Sequence, residues 1–143
     1  MGTSLKIMDL ELDLLTEETF CERMTEYLSG DLFRVVHFVS LDYIDKYEEE
    51  PIVQEVLEEA DLVLPGEKAI LSLYPVDVLE TGGMVVDYRI AHRLMSRELL
   101  NDKKCFLILR NKKEAKIVYR YLKKYYENMD IAGVYSMDTN VTE

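Results

Sequence analysis

The stretch Glu55–Glu67, EVLEEADLVLPGE, decides how the chain is read. Its first half reads as the end of a helix, and the apolar run Leu62-Val63-Leu64 that follows Asp61 is stopped by Pro65-Gly66. So short an apolar run between breakers suits an inner strand of a parallel sheet. In open α/β sheets, ligands settle in the crevice beyond the carboxyl ends of the strands. The loop after Leu64, which carries Gly66 and Glu67, is therefore where chemistry is expected.

Upstream of this stretch, residues 33–39 (FRVVHFV) are β-branched and aromatic and predict a buried strand. A helical pattern runs from Leu41 to Tyr47, and Glu48-Glu49-Glu50-Pro51 interrupts it. Pro51 belongs in the first turn of a fresh helix reaching Glu59. Thr16 can cap a helix over 17–29, with Glu17 and Glu18 at the positive end of its dipole. Phe20, Cys21, Met24, Tyr27 and Leu28 form its apolar face, and Gly30 is the expected left-handed cap. Residues 5–15 alternate loosely between apolar and acidic, as an edge strand or small hairpin does.

Downstream, residues 68–74 could form a short helix, and Gly82-Gly83 marks a turn or a close backbone approach. Residues 87–100 suit a helix with Ile90, Ala91, Leu94, Met95 and Leu99 on one side. Residues 104–109 (KCFLIL) predict a second inner strand, 112–127 a long helix and 131–135 a closing strand. Strands alternating with helices imply βαβ units. The expected class is α/β: a mostly parallel, Rossmann-like sheet with helices on both faces, in a single layered α/β/α domain spanning residues 1–143.

At 143 residues with 48% apolar and 31% charged residues, the chain can bury a real core. A net charge of −11 argues against nucleic acid as a partner, and against docking on an anionic membrane through the bulk of the surface. The charge is uneven: residues 101–143 hold nine Lys/Arg against six Asp/Glu, and residues 1–100 eight against 22. Cys21 and Cys105 lie far apart with no Cys or His at metal-ligand spacing, so both are read as free, buried thiols of a reducing cytoplasm. No metal and no cofactor is expected. Without an 18-residue apolar span or a signal-peptide pattern, the chain is expected neither to span a membrane nor to be secreted by a recognisable route.

The segment from Pro51 through Ala60-Asp61-Leu62-Val63-Leu64-Pro65 resembles the WecG/TagA/CpsF glycosyltransferases, whose pattern is D-P-x-x-x-x-x-L-x-x-A-D-L-V-x-P. The likeness extends more weakly along the chain. TEETFCERMTEYL resembles the family's T-x-x-E-A-x-x-x-I, residues 36–60 align without a gap, and 105–109 look like the strand ending F-L-L-G-G. YYENMDIAG, residues 125–133, is similar to Y-P-x-L-x-I-x-G. The resemblance implies transfer of an N-acetylmannosamine-type sugar from a UDP donor to a lipid-linked acceptor, in bacterial cell-envelope polysaccharide synthesis. It places the protein in the cytoplasm or at the membrane periphery. Such chemistry needs a base for the acceptor hydroxyl and donors for the leaving diphosphate.

The family's reactive residues do not carry over. Its Asp base, followed by Gly, is Gly66-Glu67 here; its Thr and Asn after the second strand are Phe38 and Ser40. Where it has Gly-Gly, this chain has Arg110-Asn111. A side chain at Arg110 obstructs backbone approach to phosphate, although its guanidinium could bind phosphate itself. Family members also continue with a basic tail, whereas this chain stops soon after the last strand. No residue is a firm catalyst, and Glu67 is a weak candidate for the base. The candidate ligand-binding residues are Ser40, Asp42, Gly66, Arg110 and Asn111. Plainer readings stand beside these: Ser40 or Asp42 as a helix cap, Glu67 as a first-turn acid, His37 and His92 as structural histidines. Lys112, Lys116, Arg120 and Lys124 recur at i, i+4 steps, as a solvated helix face or one that meets an acidic partner or anionic head groups.

Two expectations follow. The favoured one is a catalytically degenerate glycosyltransferase-like domain that binds a protein or a nucleotide-type ligand such as a UDP-sugar, because several site positions depart together. The other is an active enzyme using Glu67 and Asp42, with Arg110 on the diphosphate. Seven Met and ten Tyr hint at exposed apolar surface and self-association into a homo-oligomer.

Overall fold

The computed structural model describes residues 3–7, 10–72 and 98–139, together with His92 and Met95. The chain divides into two compact units, Met1–Ala91 and His92–Glu143. Most of the helix expected over 87–100 and the Gly82-Gly83 turn lie outside the described residues.

In the first unit, strands β1 (Thr3–Ile7) and β2 (Leu10–Leu14) form an antiparallel hairpin, as the alternation in 5–15 suggests. Helix α1 (Glu17–Ser29) starts at Thr16, whose side chain accepts the Thr19 N–H at 3.1 Å. Gly30 is extended, at φ −87°, rather than left-handed. The Ser29 hydroxyl donates to the Glu26 carbonyl, so one of the terminal acceptors is met by a side chain.

Strand β3 (Val36–Val39) pairs in parallel with β4 (Leu62–Pro65), in the register Val36 to Leu62 through Val39 to Pro65. The expected buried strand over 33–39 is corrected at its start and in its burial: Phe33 is 90% exposed, the ladder begins only at Val36, and within it Val39 is buried while Phe38 is 47% exposed. The cause of the late start is Asp61, whose Oδ2 accepts the Val35 N–H at 2.8 Å and whose own N–H donates to the Val35 carbonyl. Helices α2 (Leu41–Glu49) and α3 (Pro51–Glu59) lie between these strands, split where Pro51 begins the second. Tyr47 bridges them by donating its hydroxyl to Glu58 at 3.2 Å.

All four residues of β4 are buried, as expected, but among the described residues β4 pairs with β3 alone, in a two-stranded sheet, so the inner-strand reading holds for its burial and not for its pairing. Val63 joins Leu10, Val39, Ile44, Leu57 and Ile70 in one apolar cluster. Side chains alternate across a strand, so Leu62 and Leu64 point to the opposite face. On β3, Val39 belongs to the cluster and Phe38 to the other face, where its ring centroid lies 6.3 Å from that of Phe20 on α1. Helix α4 (Lys68–Leu71) is shorter than expected and buries Ile70 and Leu71.

In the second unit, a 3-10 turn (Glu98–Leu100) precedes β5 (Lys104–Leu109), helix α5 (Lys112–Tyr125) and β6 (Asp130–Ser136). Strands β5 and β6 are parallel, with an irregularity between Cys105 and Phe106. The inner-strand reading of β5 is corrected, because Phe106 and Ile108 are 61% and 63% exposed. Only the alternate residues Cys105 and Leu107 pack on the core of Leu122, Tyr126 and Met129. On α5, Ala115, Val118 and Leu122 face inward as expected, but Tyr125 is exposed and Tyr126 is buried. The helix ends at Tyr125, but Tyr126 follows Leu122 by four residues and donates its N–H to the Leu122 carbonyl, so it continues the inward face into the core. The described chain is thus mixed α/β with short parallel strand pairs.

Candidate functional site

The carboxyl ends of β3 and β4 meet where the sequence places the site. Gly66 N–H donates to the Val39 carbonyl at 2.8 Å, which brings Ser40, Asp42, Gly66 and Glu67 to one end of this strand pair. A Cβ at Gly66 would lie 3.0 Å from the Val39 oxygen and 3.4 Å from the Phe38 carbonyl carbon. Glycine is favoured here because two backbones approach closely and an added Cβ would have to push one of them aside by a few tenths of an ångström.

The polar side chains at this end are engaged locally. Ser40 caps α2, its hydroxyl accepting the Tyr43 N–H at 3.3 Å. Asp42 pairs with Lys46 one turn on, at 3.3 Å. The hydrogen bond that the Lys46 ammonium donates to Asp42, together with the Asp42 charge, holds its pKa above the ordinary value. Glu67 occupies the position before α4, is exposed, and makes no capping hydrogen bond with its side chain.

The other two candidates sit at the corresponding end of β5 in the second unit. Asn111 caps α5 by accepting the Glu114 N–H at 2.8 Å. Arg110 donates to the Glu114 carboxylate at 2.6 Å. Asp138, after β6, accepts the Lys112 N–H at 3.3 Å, so a second acid serves the same helix start.

Cavities among the described residues lie elsewhere. One of about 400 Å³ in the first unit is lined by Asp13, Tyr47, Glu58, Asp61 and Val63, among others. It opens beside the entering end of β4 rather than its exit. Its acids have structural tasks: Asp13 accepts the Val63 N–H at 2.9 Å, and Asp61 accepts from Val35 and from Arg34 at 2.9 Å. The backbone hydrogen bond from Val35 and then the Arg34 guanidinium hold the Asp61 carboxyl below its ordinary pKa. Another cavity, about 340 Å³, lies in the second unit, beside His92, Asn101, Tyr126 and Asn128. There the His92 ring hydrogen-bonds the Tyr126 hydroxyl, and the two rings meet edge-on at 5.6 Å. The tyrosine's pKa is raised, chiefly by burial.

The sequence reading missed Asp61 as a fastener of the β3 entry. The signal was present in the Ala60-Asp61-Leu62 step, an acid set against the start of a buried strand. It also missed the His92–Tyr126 pair, because 34 residues separate partners with no shared spacing. Cys21 is buried and Cys105 partly buried, both free; burial, then the Asp130 charge, raises the Cys105 thiol pKa. Among the described residues no helix is long and apolar enough to cross a membrane, and no three His, Cys, Asp or Glu side chains form a metal-sized cluster. Compared with models of known protein families and with curated protein sequences, the chain matches none.

Proposed function

We propose that this chain is a catalytically degenerate, WecG/TagA/CpsF-like domain that acts by binding a protein or a nucleotide-type ligand. The observation that supports the reading is how the candidate polar groups are used. Ser40 and Asn111 spend their side-chain oxygens as helix caps, and Asp42 and Arg110 are paired within their own helix turns. A base needs a carboxylate within hydrogen-bond reach of the acceptor hydroxyl, and displacement of about 1 Å is costly. Gly66 supplies no such group, and Glu67 sits one position further on, roughly 3.8 Å along the chain. The family's single Rossmann-like sheet belongs to this reading, as does a cytoplasmic or membrane-peripheral location.

The test joins turnover to binding. No UDP is released from any UDP-N-acetylhexosamine, while UDP or a UDP-sugar raises the melting temperature by a few degrees if the ligand is nucleotide-like. Turnover that disappears in Glu67→Gln would establish the active enzyme instead.

A further inference from the structure

We propose that the outer face of α5 docks the protein on an anionic lipid surface. At 100° per residue, Lys112, Lys113, Lys116, Arg120, Lys123 and Lys124 fall within a sector of about 120°, over a length of about 18 Å. All six are exposed. Among the described residues no carboxylate lies within ion-pair distance of any of them. The single acid on the helix, Glu114, lies outside that sector and is held by Arg110. Met1–Ala91 carries six Lys/Arg against 21 Asp/Glu, and His92–Glu143 eleven against seven. A protein of net charge −11 thus concentrates six of its 17 Lys/Arg on one helix face. With a Debye length of about 8 Å at physiological salt, only charges within about that distance act strongly on such a face.

The chemistry of the face selects the occupant. Five of the six cations are lysine. Lysine is depleted in protein interfaces, where the planar fork of arginine is preferred, but it suits diffuse attraction to head groups. Beside the cations, Ile117, Tyr121 and Tyr125 are each half exposed or more. Lys124 lies over the Tyr125 ring at 5.2 Å. Aromatic rings with polar tips next to long, flexible cations are the composition favoured at a membrane–water interface. A convex helix back with one arginine offers neither the groove nor the stacking platform that nucleic-acid binding calls for.

The full-length chain is to be co-sedimented with phosphatidylcholine vesicles and with mixed phosphatidylcholine–phosphatidylglycerol vesicles. Binding is expected to the mixed vesicles alone, and to be lost near 1 M salt, where the Debye length falls to about 3 Å. Lys116→Gln, Arg120→Gln and Lys124→Gln together are expected to weaken it about a hundredfold, with the circular dichroism spectrum unchanged. Equal binding to both vesicle types, no binding to either, or insensitivity to salt would overturn the proposal. So would retention of a polyuridylate or an acidic peptide in preference to the mixed vesicles. The salt arm needs no variant, so it decides even if the triple substitution misfolds. A UDP-induced thermal shift, where present, is expected to survive in the triple variant, which separates this surface from the nucleotide reading.

Discussion

The two parallel strand pairs are built to one plan and finished differently. In each, a strand leads to a capped helix, and a second strand returns beside the first. In the β3–β4 pair, β4 is buried at every position. In the β5–β6 pair, Phe106 and Ile108 face outward, and only alternate residues of β5 reach the core. The glycines repeat the contrast. At Gly66 an added Cβ would meet backbone, whereas at Gly133 it would meet the Phe106 ring at 2.5 Å. Backbone held by a ladder cannot yield, but an exposed ring can swing aside. Tightness in this molecule therefore follows burial on both faces, rather than the apolar content that both strands share.

The comparison can be broken most decisively at the strand centres. Leu64→Ala removes a fully buried side chain and should cost about 2–5 kcal/mol, whereas Phe106→Ala should stay within about 1 kcal/mol. Urea unfolding followed by circular dichroism measures both, and equal losses would abolish the distinction. Next come the glycines. Gly66→Ala forces two backbones apart and should cost about 1–3 kcal/mol, the range for overpacking. Gly133→Ala should cost less, and its expected signature is movement of the Phe106 ring resonances. The helix caps sharpen the same contrast on a smaller scale. Asn111→Ala should lose about 1 kcal/mol. Ser40→Ala should lose less, since its bond is 3.3 Å long against 2.8 Å at Asn111.

The last test concerns pH rather than magnitude. Asp61 has a folded-state pKa below that of the unfolded chain. Its contribution is therefore complete above the ordinary carboxylate value of about 3.9, and it fades as pH falls through the lower folded value. The stability advantage of the native chain over Asp61→Asn should hold at neutral pH and shrink upon acidification below about pH 4. A constant difference across that range would remove Asp61 from its role at the β3 entry.

Much of this fold is legible in local chemistry. Thr16, Ser40 and Pro51 each announce a helix start within a few residues, and the Pro65-Gly66 breaker fixes the end of β4. What escapes the sequence depends on distant partners. Residues 33–35 look like strand, yet Asp61, 26 positions away, takes the Val35 N–H in place of a ladder bond. The outward face of β5 is hidden because apolar content reads as burial while exposure depends on neighbours. At the site, the positions were legible and their employment was not: Ser40 and Asn111 read equally well as ligands or as caps until their hydrogen bonds are seen.

The contact between Asp13 and Val63 has a consequence for association. A strand with free N–H groups along one side is a template on which another chain can lay itself down, the first step toward fibrils. Here the Asp13 carboxylate takes up the Val63 N–H. A foreign strand approaching β4 from that side would have to displace a charged group and leave it without its partner. The hairpin thus works as a stopper, protecting the stickiest segment of the chain from its own copies.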